Sequence, residues 1–131
     1  MLIKLYTDAA TKNAQGPSAA GVLIVIDGQQ HQAHFYLGDN LTNHEAEFMA
    51  ATLGFKQALA LAQSTDTVFF YTDSRVVSDS LGKGHAKHYP ELLAELEAAS
   101  NQFELVMVHW VPEKANLGAH NLAFQELGKY I

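Results

Sequence analysis

Three acidic residues stand where a strand or a helix is expected to begin or end. Asp8 closes Leu5-Tyr6-Thr7-Asp8, Glu47 follows Thr42-Asn43-His44-Glu45-Ala46, and Asp73 ends Phe70-Tyr71-Thr72-Asp73. Carboxylates repel when a fold brings them together: at a separation of about 4 Å and an effective dielectric near 20, each pair costs on the order of 4 kcal/mol. Convergence therefore makes sense mainly with a cation between them, and oxygen donors of this type suit Mg²⁺ or Mn²⁺. The residue types point to a metal-dependent site.

The surrounding patterns say what must hold these groups. Leu2 to Thr7 alternates as a strand that delivers Asp8 at its end, and a turn rich in small residues follows. Ala20 to Ile26 and Gln32 to Leu37 read as two strands joined by the Asp27-Gly28 hairpin signal. Thr42 and Glu45 form a capping box that opens a helix from Asn43 to about Ala62, which gives Glu45 a structural task and leaves Glu47 without one. Two apolar stripes, Ala46-Met49-Ala50-Leu53 and Phe48-Thr52-Phe55-Leu59, predict that this helix is central and contacted on more than one side. Thr67 to Thr72 is a bulky strand presenting Asp73. Short helices follow over Arg75 to Leu81 and Pro90 to about Ala99, with a last strand from Leu105 to Val111. Asn116 is expected to cap a closing helix from Leu117 to Lys129. The order predicts an α/β arrangement in which Asp8 and Asp73 leave adjacent parallel strands at their carboxyl ends, where open sheets bind ligands.

Composition narrows the chemistry. The chain has 131 residues, which suits one domain over residues 1–131. It has no cysteine, so neither disulfides nor thiolate zinc ligands are available. No apolar run is long enough to span a membrane and no signal-peptide pattern is present, so a cytoplasmic, monomeric protein is expected. With eight basic residues and a net charge of −6, bulk electrostatics cannot hold a nucleic acid. Lys83, His85, Lys87 and His88 form the one local basic cluster, and the spacing of His85 and His88 without further ligands makes a poor zinc site.

With these motifs in place, the chain resembles ribonuclease HI along essentially its whole length. The resemblance is carried by Tyr6-Thr7-Asp8-Ala9-Ala10 through Gly16-Pro17 and Ala20-Gly21, by Thr42-Asn43-His44-Glu45-Ala46-Glu47-Phe48, by Thr72-Asp73-Ser74-Arg75-Val76-Val77, and by Val111-Pro112-Glu113 with Asn116 and Ala119 to Ala123. It implies a five-stranded mixed sheet, three antiparallel strands plus two parallel ones, flanked by helices. It further implies an endonuclease that uses two Mg²⁺ or Mn²⁺ ions to cut the RNA strand of an RNA–DNA hybrid, leaving 3′-hydroxyl and 5′-phosphate ends. Asp8, Glu47 and Asp73 match three of the family's metal carboxylates. In such a site one ion activates water and the other stabilises the leaving oxygen.

The fourth carboxylate is replaced. In Asn116-Leu117-Gly118-Ala119-His120-Asn121-Leu122-Ala123, His120 stands where the family has Asp. Neutral imidazole can bind a divalent ion, although it favours manganese or zinc over magnesium, and the start of a helix disfavours its protonation. Hybrid contacts are expected from Asn13 and Gly16 in the loop after Asp8, from Asn43 and His44, and from Lys83 and Lys87. Groups at base edges and 2′-hydroxyls tell RNA from DNA. The family's flexible-loop His has no clear match in Pro112 to Ala115; Glu113 either serves there or, the favoured reading, is a solvated side chain, and His109 reads as a packed one. The altered residues also admit a non-cleaving nucleic-acid or partner-binding module on the same scaffold. A related exonuclease or strand-transfer enzyme is disfavoured, because Asp8 is followed by Ala9 and Ala10 and not by an Asp-x-Glu pattern.

Overall fold

A computed structural model describes residues 1–131. Its strands are β1 (Leu2–Thr11), β2 (Gln15–Ile26), β3 (Gln29–Thr42), β4 (Thr67–Thr72) and β5 (Leu105–Trp110), and its helices are α1 (Asn43–Leu61), α2 (Arg75–Lys83), α3 (Pro90–Ser100) and α4 (Leu117–Leu127). The sheet order is β3-β2-β1-β4-β5. β1, β2 and β3 pair antiparallel, whereas β4 is parallel to both β1 and β5. The expected mixed sheet and the adjacency of the strands carrying Asp8 and Asp73 are both present.

α1 packs on β1 and β2 and is flanked by α2 and α3, so both apolar stripes are used. Ile3, Leu5, Phe48, Phe55, Val68, Phe70 and Leu96 are fully buried in this layer. Each such side chain contributes about 1.5–3 kcal/mol of transfer free energy. The capping box forms as read: the Glu45 amide donates to Thr42 Oγ1, and the Thr42 amide donates to Glu45 Oε1 at 2.9 Å. No helix is long and apolar enough to cross a membrane.

The first hairpin differs from the sequence reading. β1 does not stop at Thr7; antiparallel pairing with β2 continues to Thr11 opposite Ser18, while parallel pairing with β4 ends at Tyr6 opposite Tyr71. Asp8 thus lies inside one ladder and just beyond the other. The small residues that suggested a turn, Ala9, Ala10 and Ala19, are instead buried strand positions, as is Ala20, beneath α1 and α4, with only Lys12–Ala14 left at the tip. β2 and β3 are longer than expected for the same reason, with register irregularities around Ser18.

α4 covers the opposite face, against β1, β2 and β3. Gly21, the register partner of Asp8, permits this: a Cβ there would lie 2.0 Å from the Ala119 carbonyl oxygen and 2.6 Å from the Ala123 nitrogen. The helix backbone therefore rests directly on the strand. Asn116 does not cap α4 with its side chain. It is buried, and its Nδ2 donates to the Thr7 carbonyl at 2.9 Å, tying the start of α4 to β1 where pairing with β4 has just ended.

Candidate functional site

Five elements meet at the carboxyl ends of β1 and β4. Asp8 comes from β1, Glu47 from the start of α1, Asp73 from the residue after β4, Glu113 from the 3-10 turn Glu113–Ala115, and His120 from the first turn of α4. With Asn43 they line one hollow of about 380 Å³. Backbone ties fix the rim. The Trp110 indole N–H donates to the Asp73 carbonyl at 3.1 Å, the Arg75 guanidinium stacks over that indole at 3.8 Å, and the Val111 amide donates to the Thr72 carbonyl at 2.9 Å.

Asp8 is the centre of the arrangement. Its side chain is only 7% exposed; Oδ1 accepts from the Ala9 amide at 2.9 Å and Oδ2 shares a hydrogen bond with His120 Nδ1 at 3.0 Å. Burial, followed by repulsion from Asp73, pushes its carboxyl up to about 7, although the Ala9 amide and His120 pull the other way. Burial also raises Asp73, with repulsion from Glu113 adding to it and the hydrogen bond with Asp8 opposing it. Glu47 accepts from Asn43 Nδ2 at 2.5 Å through Oε1, while its Oε2 is buried and has no hydrogen-bond partner. His44 Nδ1 lies 3.6 Å from that oxygen, too far for a good hydrogen bond.

As the side chains stand, no three of these groups close around one point tightly enough to ligate a single ion. The donor set nevertheless fits a hard divalent cation. It is rich in carboxylate oxygens, it holds an orphaned buried oxygen on Glu47, and burial together with neighbouring carboxylates raises the pKa of both aspartates, a penalty on their charged forms that a cation would relieve.

Asp8, Glu47, Asp73 and His120 thus lie together, with Asn43 beside them. The remaining candidates do not line this hollow. Asn13 sits exposed at the β1–β2 tip with φ of 64°, and Gly16 is buried beside it against the Lys12 carbonyl. His44 is exposed next to Glu47 and meets Tyr89 edge-on, and Tyr89 borders a separate hollow of about 240 Å³ that Lys83 and Lys87 line. His109 is half-buried and stacks on Tyr71, in keeping with a packed role. Two side chains have more to do than their sequence context suggests. Glu113, for which the sequence favours a solvated side chain over a part in the site, is 65% exposed yet approaches His120 Nδ1 to 3.3 Å. Asn116 was read as a cap, and only its invisible partner, a backbone carbonyl 109 positions away, shows its positioning task.

Comparison with known proteins bears on the family and the fold. The family described as reverse transcriptase-like matches residues 6–125. The protein named "Putative hydrolase EbsB" of Enterococcus faecalis is 36% identical over 131 residues, covering 98% of this chain and 96% of its own. A ribonuclease H of Trichodesmium erythraeum is 32% identical over 88 residues, 66% of this chain and 52% of that protein, so the match spans about half its length. Among solved structures, RNase H1 from the halophilic archaeon Halobacterium salinarum superimposes with a TM-score of 0.89 at 22% identity, covering 98% of this chain and 99% of that one. LC11-RNase H1, solved in complex with an RNA/DNA hybrid, gives 0.87 at 19% identity, with 97% of each chain covered.

Proposed function

The chain belongs to the reverse transcriptase-like family and has the ribonuclease H fold, and from that premise we propose that it is a divalent-metal-dependent endonuclease that hydrolyses the RNA strand of RNA–DNA hybrids. The observation that carries the reading is the meeting of Asp8, Glu47 and Asp73, far apart in the chain, in one hollow. Relatives named ribonuclease H, and a structural neighbour holding a hybrid, support the substrate class.

Asp8, Glu47 and Asp73 are the groups that would hold two Mg²⁺ or Mn²⁺ ions, with His120 beside them. Such ions supply a hydroxide-like nucleophile at neutral pH and Lewis-acid stabilisation of the leaving ribose oxygen. The chain's own contribution is positional. Asp8 lies rigidly within the β1–β2 ladder, Asp73 is fixed through its backbone by Trp110, and Glu47 keeps one buried oxygen uncommitted. Attack of the water oxygen on phosphorus with breakage of the P–O3′ bond, the ribose O3′ leaving as a hydroxyl, would give 3′-hydroxyl and 5′-phosphate ends. Asn43 stands closest to the carboxylates for minor-groove contacts, with Asn13, Gly16 and His44 alongside; Lys83 and Lys87 extend the track past Tyr89.

A labelled RNA–DNA duplex incubated with folded protein in Mg²⁺ and then Mn²⁺ tests this. Cutting confined to the RNA strand, lost in Asp8→Asn, is the expected result. No cutting with either ion overturns it in favour of a non-cleaving binding module, the reading that the exchange at His120 motivates.

A further inference from the structure

His120 raises a question that the family pattern does not answer. Its Nδ1 lies 3.0 Å from Asp8 Oδ2 and 3.3 Å from Glu113 Oε1. Whichever partner carries the proton, that nitrogen is committed to a protein carboxylate and cannot ligate an ion in this arrangement. Where the family pattern has a carboxylate on α4, this hollow thus has an imidazole whose Nδ1 already has a protein partner. Glu113 is the one further carboxylate lining it. It sits at the start of a short 3-10 turn, and its side chain is 65% exposed, with the freedom to swing that an exposed rotamer has.

We propose that Glu113 supplies the fourth carboxylate of the divalent-ion site, while His120 acts as a positioning residue that bridges Glu113 to Asp8. The proposal deepens the nuclease reading and rests on it. Support also comes from position: Asp73 and Glu113 line the same hollow, so a cation entering it would meet both carboxylates. The single ring nitrogen that hydrogen-bonds Asp8 also lies 3.3 Å from Glu113, so His120 brings the two carboxylates to one side of the hollow, and a cation entering there would offset their repulsion. The histidine exchange then relocates the fourth acid from the helix to the neighbouring turn, leaving four carboxylates, Asp8, Glu47, Asp73 and Glu113, around the hollow.

The test is calorimetric titration of Mn²⁺ into folded wild type, Asp8→Asn, Glu113→Gln, Glu113→Asp and Glu104→Gln at one pH and ionic strength. Glu104 precedes β5, at the opposite end of the strand from the site, and controls for the loss of one negative charge. Glu113→Gln is expected to weaken binding about tenfold or more. Partial recovery in Glu113→Asp and no change in Glu104→Gln complete the expected pattern. Wild-type affinity in Glu113→Gln, alongside lost binding in Asp8→Asn, overturns the assignment of Glu113 and leaves the nuclease site standing. Equal weakening in Glu113→Gln and Glu104→Gln overturns it as well. No Mn²⁺ uptake by wild type brings down the site reading itself.

Discussion

α4 is joined to the sheet by a histidine–carboxylate pair near each end, and the two pairs have opposite characters. At its far end, Glu126 on the helix meets His34 on β3 at 2.6 Å, and Lys129 reaches the same oxygen at 3.3 Å. The His34 hydrogen bond holds the Glu126 carboxyl below its ordinary value, burial opposes this, and Lys129 reinforces it. At the near end, His120 meets Asp8 at a similar distance of 3.0 Å, yet Asp8 is driven up to about 7. A similar contact gives a satisfied anion in one place and a frustrated one in the other. The difference is the company: Asp8 is buried beside Asp73, with no lysine or arginine lining the hollow. A pair that neutralises its own charges holds the structure together, whereas a cluster that leaves negative charge in excess is prepared for something positive to arrive.

Four experiments would break or sharpen this contrast. Asp8→Asn is expected to lower hybrid cleavage by roughly a thousandfold, equivalent to about 4 kcal/mol of transition-state stabilisation, whereas Glu126→Gln keeps it within about twofold; equal losses measured on one labelled duplex would erase the distinction. The second effect concerns stability in chelator. Folded Asp8 keeps a proton to about pH 7 that an ordinary aspartate releases at 3.8. Between those values the native state binds more protons than the unfolded one, so stability falls as pH rises through that window. Urea midpoints measured from pH 4 to 8 should show that decline in wild type and lose it in Asp8→Asn.

Asn116→Ala should cost about 1–3 kcal/mol, because it removes a buried hydrogen bond and leaves the Thr7 carbonyl without its donor. Its cleavage rate should fall further than that of Glu126→Gln, since the tether lies next to the acids. The smallest effect belongs to the satisfied pair. Glu126 has a lowered pKa, so its contribution is present above the ordinary glutamate range and disappears as pH falls through the lowered value. Acid unfolding curves should therefore show a shallower acid limb in Glu126→Gln than in wild type.

Much of this was legible in the residues themselves. The capping box at Thr42 and Glu45 separated a structural acid from Glu47, and the apolar stripes of α1 foretold a helix enclosed on several sides. What escaped was set by distant pairing. Whether Ala9, Ala10 and Ala19 form a turn or a strand depends on helices that settle on them later in the chain, since small residues carry weak local preference and strong packing meaning. Asn116 had an acceptable local role as a cap, and a tertiary hydrogen bond outcompeted it. Glu113 lies in a motif-bearing loop, but only the fold places it beside His120.

Gly21 gives the arrangement its tolerance. Because the helix lies directly on that residue's bare backbone, opposite Asp8, the gap between β2 and α4 is calibrated by an absent methyl group. Alanine there would drive a methyl group into helix backbone, which cannot turn aside as a long side chain can, so the strand and the helix would have to part. One bare strand position thus fixes how near the start of α4, and His120 with it, comes to Asp8.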